Sequence, residues 1–234
     1  MASRKTVRKP EGRYHHGELR QALLDEAAAV VEREGVAALS LRDLARRLGV
    51  SHAAPAHHFP DRAALLVELA RDGFERFAAA MEAGGAQGRD PLDRLRRIGA
   101  AYVRFATEHP GRFRVMFGRE GSDVRQIPPA LAEAGERSYG ILLRAVEAVL
   151  ARWPAGRRPP VEAVAFTCWA IVHGAAMLWI DGALRRKAPP AEARAAFEKA
   201  LAATMVLLSA ALTPPGGGTS STKPRSSTRR PGRS

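Results

Sequence analysis

The chain has 234 residues, 46% of them apolar, and a formal net charge of +13, which is enough apolar surface for a small domain plus a larger one. A single cysteine, Cys168, excludes an intrachain disulfide, and residues 1–13 lack the apolar stretch of an export signal, so a reducing, cytoplasmic setting is expected. Richness in Ala, Leu and Arg without alternating β-branched runs predicts an all-α fold.

The positive charge sits at the ends. Residues 1–13 carry +4 and residues 214–234 carry +5 with no acid, whereas residues 14–62 sum to −1. Both ends are expected to be disordered basic extensions, an arm and a tail; the tail in particular is almost wholly small, polar or helix-breaking and cannot build a core.

Between them, Leu19, Leu23, Ala27, Val30 and Val31 fall at helical spacing and predict a helix over 17–34, stopped by Gly35. Residues 40–59, SLRDLARRLGVSHAAPAHHF, carry the most informative pattern. Ser40 followed by Asp43 has the spacing of a capping box. Leu41, Leu44, Ala45 and Leu48 share one face, leaving Arg42, Arg46 and Arg47 on the rest of the surface, and Gly49 ends the run. Ser51 is placed to cap a second helix reaching about Phe59, with Pro55 tolerated near its first turn. Two short helices across a glycine turn make a helix-turn-helix, whose second helix offers its N-terminal residues to base edges in the major groove.

Asp61 opens a further helix over 61–81 through Leu65, Leu66, Leu69, Phe74 and Phe77, broken by AGGAQGRD. Asp90 and Pro91 start the next, which stops near His109; a short helix over 112–117 and a polar loop over 118–127 follow, then a helix over 128–153. Helices over 161–180 and 191–212 close the fold. Residues 163–180 contain no formal charge, which touches the lower limit for a membrane span. His173 in mid-segment, the flanking Glu162 and Asp181 and the lack of a second span favour instead a helix packed in its own core on one face and against a second copy on the other. No membrane association is expected, and the helices 161–180 and 191–212 are the expected homodimer interface.

No GxSxG elbow, phosphate-binding GxxxxGK loop, GxGxxG turn or HExxH pair occurs, so an enzyme is not expected. The adjacent pairs His15-His16 and His57-His58 point apart on a helix and make no chelate, so neither a metal nor another cofactor is expected. The basic ends leave one alternative, a sequence-tolerant architectural nucleic-acid binder.

The stretch YHHGELRQALLDEAAAVVEREGVAALSLRDLARRLGVSHAAPAHHFPDRAALL resembles from end to end the DNA-binding domain of TetR-type transcriptional regulators, usually repressors. Its Tyr14-His15-His16-Gly17 opening is similar to that of one subgroup. Further on, HPGRFRVMF and CWAIVHGAAMLWIDG resemble an effector-binding and dimerisation domain, recognised through Trp169, His173 and Gly174. The resemblance implies a homodimer with a DNA-binding head over 14–60 and a larger helical effector domain over 61–213. It implies a palindromic operator, and release when a small molecule favours a different separation of the two reading helices.

Carried over position by position, the resemblance makes Ser40 and Arg42 phosphate contacts. Ser51 opens the reading segment, His52, Ala53 and His57 face bases, and His58 and Arg62 grip the backbone. Ala56 stands where the family usually has Tyr, so a phosphate-binding hydroxyl is missing, and Arg8, Lys9 and Arg13 of the arm are expected to compensate. With several imidazoles at the interface, DNA binding is expected to tighten as pH falls through about 6.5. Phe105, Phe113, Met116, Phe117, Trp169, His173 and Met177 are the expected lining of a pocket for an apolar or aromatic effector, although apolar residues at this spacing usually build core and a lone histidine is more often a hydrogen-bonded core residue.

Overall fold

A computed structural model describes residues 16–118, 127–184 and 189–214. The arm with Arg8, Lys9 and Arg13, residues 119–126 of the expected polar loop, and residues 215–234 of the tail lie outside the described residues. Among the described residues all regular structure is helical. The elements are α1 (His16–Glu34), α2 (Leu41–Leu48), α3 (Arg62–Ala86), α4 (Pro91–Glu108), α5 (Pro110–Phe117), α6 (Pro129–Leu150), α7 (Val161–Ile180) and α8 (Pro190–Ala211).

Local chemistry sets most of the boundaries. The Asp61 carboxylate accepts from the Ala64 amide at 2.7 Å, and Asp90 accepts from Leu92 and Asp93 at 2.9 and 3.0 Å, so both cap orphan N–H groups. At the end of α2, Gly49 takes φ 69°, a conformation closed to most L-residues, and the Val50 amide donates back to the Ala45 carbonyl at 3.0 Å.

The capping box expected at Ser40 is not formed. Ser40 is extended and its side chain caps nothing, while Arg46 Nε donates to Asp43 at 3.1 Å and Arg47 binds the other carboxylate oxygen. Two charge-assisted bonds from i+3 and i+4 outcompete one amide, and they hold the Asp43 carboxyl below the usual carboxylate range, Arg46 contributing most. The break expected from AGGAQGRD also comes later, because α3 runs through Gly84 and Gly85. A Cβ at either position would meet α4 at 2.9 Å, on Ala101 or Ile98, so the two glycines let the helices approach closely instead of stopping the first.

Two hydrophobic cores result. One gathers Leu23, Ala27, Val30 and Val31 of α1, Leu44 of α2, Phe59, and Leu65, Leu66 and Leu69 of α3, with Val115 reaching in from α5. The other joins Phe77 and Met81 of α3 to α4, α6, α7 and α8. Helix α3 therefore has its first half in one core and its second half in the other, which ties them mechanically.

Candidate nucleic-acid interface and effector pocket

Beyond Gly49 the chain does not form the α-helix expected over 51–59. It makes a 3₁₀ turn, Ala54–His57, in which the amides of Ala54, Ala56 and His58 bond to Ser51, Ala53 and Pro55 at 3.0, 3.2 and 2.9 Å. Pro55 is the physical reason: with no N–H of its own it cannot bond to Ser51, and the segment tightens to i→i+3 bonding. Buried Pro55 and Phe59 anchor the segment, the Phe59 ring lying 5.3 Å from the Arg20 guanidinium, while Ser51, His52, Ala53, Ala56 and His57 stay exposed and His58 is half-buried.

The arginines divide by role. Arg47 is held by Asp43 and by Glu34 at 2.9 Å, and Arg46 by Asp43. Exposed Arg42 has no acidic partner among the described residues, and exposed Ser40 stands at the start of the same helix. Exposed Arg62, expected as a backbone grip, is also engaged within the chain. Its guanidinium donates from Nε to the Leu39 carbonyl at 3.0 Å and from a terminal nitrogen to the Val36 carbonyl at 2.8 Å. The Val36 carbonyl also accepts from the Leu39 amide at 3.1 Å across the 3₁₀ turn Val36–Ala38, so Arg62 fills its second lone pair, and one planar guanidinium spans both carbonyls.

Behind this head a cavity of about 300 Å³ opens in the larger core. Its walls are Phe74, Phe77 and Met81 of α3; Leu95, Ile98, Gly99 and Tyr102 of α4; Phe117 of α5; Gly135, Ser138, Tyr139 and Leu142 of α6; Cys168, Trp169 and Val172 of α7; and Met205 and Leu208 of α8. Of the expected lining, Phe117 and Trp169 are there. Phe105, Phe113 and Met116 are buried packing instead: Phe105 and Phe113 lie 5.3 and 6.3 Å from the Phe77 ring, and Met116 fills the space over Gly73. Met177, eight residues beyond Trp169 on α7, stands about 12 Å farther along the axis.

His173 lies behind the wall. Its Nδ1 is 2.8 Å from the Tyr102 hydroxyl, which also accepts from Trp169 Nε1 at 3.2 Å. Burial lowers the His173 pKa, raises that of Tyr102 and pushes the Cys168 thiol up to about 11, so all three groups are neutral near pH 7. Periodicity does not single out the walls on α3, α4, α6 and α8; a signal is present only on α4 and α6, where Gly99 and Gly135 leave room that a side chain would fill.

Helix α5 connects the two regions. At its N-terminus the Glu32 carboxylate of α1 accepts from the amides of Gly111 and Arg112 at 2.8 and 3.0 Å. The approach is close enough that a Cβ on Gly111 would sit 2.5 Å from the Val31 carbonyl oxygen. Buried Arg112 pairs with Asp72 of α3. At the other end Phe117 lines the cavity, so one short rigid helix touches both the head and the pocket.

Helix α7 is long and apolar enough to cross a membrane by length and composition, but Ala165, Cys168, Val172, Ala176, Trp179 and Ile180 are buried in the larger core. Its other face and that of α8 leave large apolar groups in solvent: Phe166 is 62% exposed, Leu178 52%, Val206 62% and Leu207 72%.

Residues 23–69 match the family model for bacterial regulatory proteins of the tetR family, and residues 95–204 match a tetracyclin repressor-like C-terminal domain. No curated protein matches significantly. Among solved structures, a Rhodococcus protein described as of unknown function shares 35% identity and a TM-score of 0.72, over 87% of this chain and 100% of its own. The TetR family transcriptional regulator PfmR from Thermus thermophilus shares the fold at 23% identity and a TM-score of 0.60, over 80% of this chain and 96% of its own. The ketosteroid transcriptional regulator KstR2 of Mycobacterium tuberculosis shares it at 18% identity and a TM-score of 0.55, over 80% and 93%. With a family match at the reading head and another across the helices that enclose the cavity, the chain belongs to the TetR family of DNA-binding transcriptional regulators and is not an enzyme.

Proposed function

We propose that the protein is a cytoplasmic homodimeric repressor of a palindromic operator, released by a small apolar effector. We further assign it to the subgroup with the Tyr14-His15-His16-Gly17 opening and the Trp169, His173 and Gly174 set. Residues 14–60 act as the head and residues 61–213 as the effector and dimerisation body. The observation that carries the reading is the cavity joined through α5 to α1. An effector that displaces Phe117 moves α5, and the Glu32 clasp passes the motion to α1 and the head it supports. The effector weakens DNA binding by its differential affinity for the two arrangements, and by no more.

Ser40, Arg42, Ser51, His52, Ala53, His57 and His58 form the DNA-facing set, supplemented from the arm by Arg8, Lys9 and Arg13, while Arg62 serves chiefly to brace the turn through the carbonyls of Val36 and Leu39. Exposed apolar side chains on α7 and α8 support dimerisation: Phe166, Leu178, Val206 and Leu207 each leave more than half of their surface in solvent, as residues that a second copy would cover do. The test is DNA binding at physiological salt. A repressor holds one palindrome, sought first in the DNA beside its own gene, at least about 1,000-fold more tightly than random duplex. A sequence-tolerant architectural binder shows little preference and a steep salt slope.

A further inference from the structure

We propose that the cavity is selective for uncharged ligands, taking a mainly apolar molecule of up to roughly 15 non-hydrogen atoms at interior packing density, with one hydroxyl or carbonyl group. This inference rests on reading the cavity as the effector site.

None of its seventeen lining residues is Asp, Glu, Lys or Arg. Tyr139, the most open of them at 36% exposure, is uncharged too. Two polar side chains of the wall, Ser138 and Trp169, are already engaged. Ser138 Oγ is 3.2 and 3.0 Å from the carbonyls of Phe74 and Ala134, and Trp169 Nε1 donates to Tyr102. An ion entering this space loses its hydration and gains nothing that replaces it.

One uncharged polar group is a different matter. The Tyr102 hydroxyl shares its second contact with His173 Nδ1, and a neutral imidazole carries its proton on either nitrogen. With Nδ1 as acceptor the hydroxyl proton goes to His173 and an oxygen lone pair is left for a ligand donor. With Nδ1 protonated, the hydroxyl accepts from both neighbours and its own proton is left for a ligand carbonyl. Either way the ligand bonds without orphaning a wall group.

The titratable groups facing the cavity are Tyr102, Tyr139 and Cys168, with His173 behind Tyr102; the α3, α5 and α8 walls contribute none. A titration of the full chain with three decyl probes therefore reads the ligand's own charge. Calorimetry at pH 7 should show binding of 1-decanol and at least about 100-fold weaker binding of decanoate and decylammonium. A carboxyl titrating near about 4.5 is only about one part in 300 neutral at pH 7, so decanoate should gain about tenfold in apparent affinity at pH 6 while decanol is unchanged.

Gly99→Leu projects into the cavity, because a Cβ there makes ordinary 3.4 Å contacts with Met205 and Val172, and it should abolish decanol binding. Gly135→Leu, whose Cβ meets nothing within 4 Å, is a second block that also favours the helix. Decanoate binding as tightly as decanol, with both lost in the Leu variants, would overturn charge exclusion and leave the effector site standing. Decanol binding that survives both variants, or fails in the native chain, would overturn the effector site itself.

Discussion

Replacing Glu32 by Ala tests the link between pocket and head. The carboxylate accepts two amide bonds, at 2.8 and 3.0 Å, from the first turn of α5. Each charge-assisted bond contributes about 1.5–3 kcal/mol net, and water reaching the half-buried site restores part of the loss, so Glu32→Ala should destabilise the fold by about 2–4 kcal/mol. For a chain of this size that is a fall in Tm of roughly 4–16 °C. Glu32→Gln keeps the shape and one acceptor oxygen and should lose about half as much. With α1 and α5 uncoupled, an effector still binds but no longer moves the head, so the ratio of operator Kd with and without effector should fall towards one. Thermal unfolding and operator anisotropy read the two effects separately. A Glu32→Ala chain with native Tm and full effector-driven release would refute the α5 route.

Arg42→Ala should weaken operator binding and reduce the slope of log K against log salt by about 0.9, the loss of one phosphate contact, with Tm unchanged. Arg62→Ala should do the reverse, lowering stability by about 1–3 kcal/mol through the two lost bonds to the Val36 and Leu39 carbonyls while leaving the salt slope alone. Leu207→Glu removes about 1.5–3 kcal/mol of burial per protomer at the proposed interface and should weaken dimerisation at least about 100-fold in sedimentation, with helix content preserved because Leu207 is exposed in the protomer. Burial lowers the His173 pKa, so the unfolded chain takes up that proton first: the contribution is complete above about 6.5 and is lost below it, by at most about 1.4 kcal/mol per pH unit. Urea unfolding of the native chain and His173→Gln at pH 7.5 and 5.5 should show this loss only in the native chain.

Helical periodicity carried most of the fold, because Leu23, Ala27 and Val30 on α1, or Leu95, Ile98 and Tyr102 on α4, repeat on one face whatever they pack against. What they pack against is set by distant segments. Nothing near Arg62 in the chain announces that Leu39 and Val36 will offer it two carbonyls, and nothing near Gly84 announces Ala101. The reading segment departs from the expected α-helix for a local reason, since Pro55 removes the bond that would keep it α-helical. At the pocket, Phe113 and Phe117 have the same residue type and lie one turn apart, yet one is core and the other wall, a difference decided by where α5 lands between α1 and α3.

The central claim is that filling the cavity releases the head from its operator. The most direct measurement is operator binding by the native chain and by Gly99→Leu as 1-decanol is added. A pocket-driven repressor should lose operator affinity with added decanol in the native chain, at the concentrations that fill the cavity, and should keep it in Gly99→Leu. Operator affinity that falls equally in both chains, or in neither while decanol occupies the native cavity, would contradict the account.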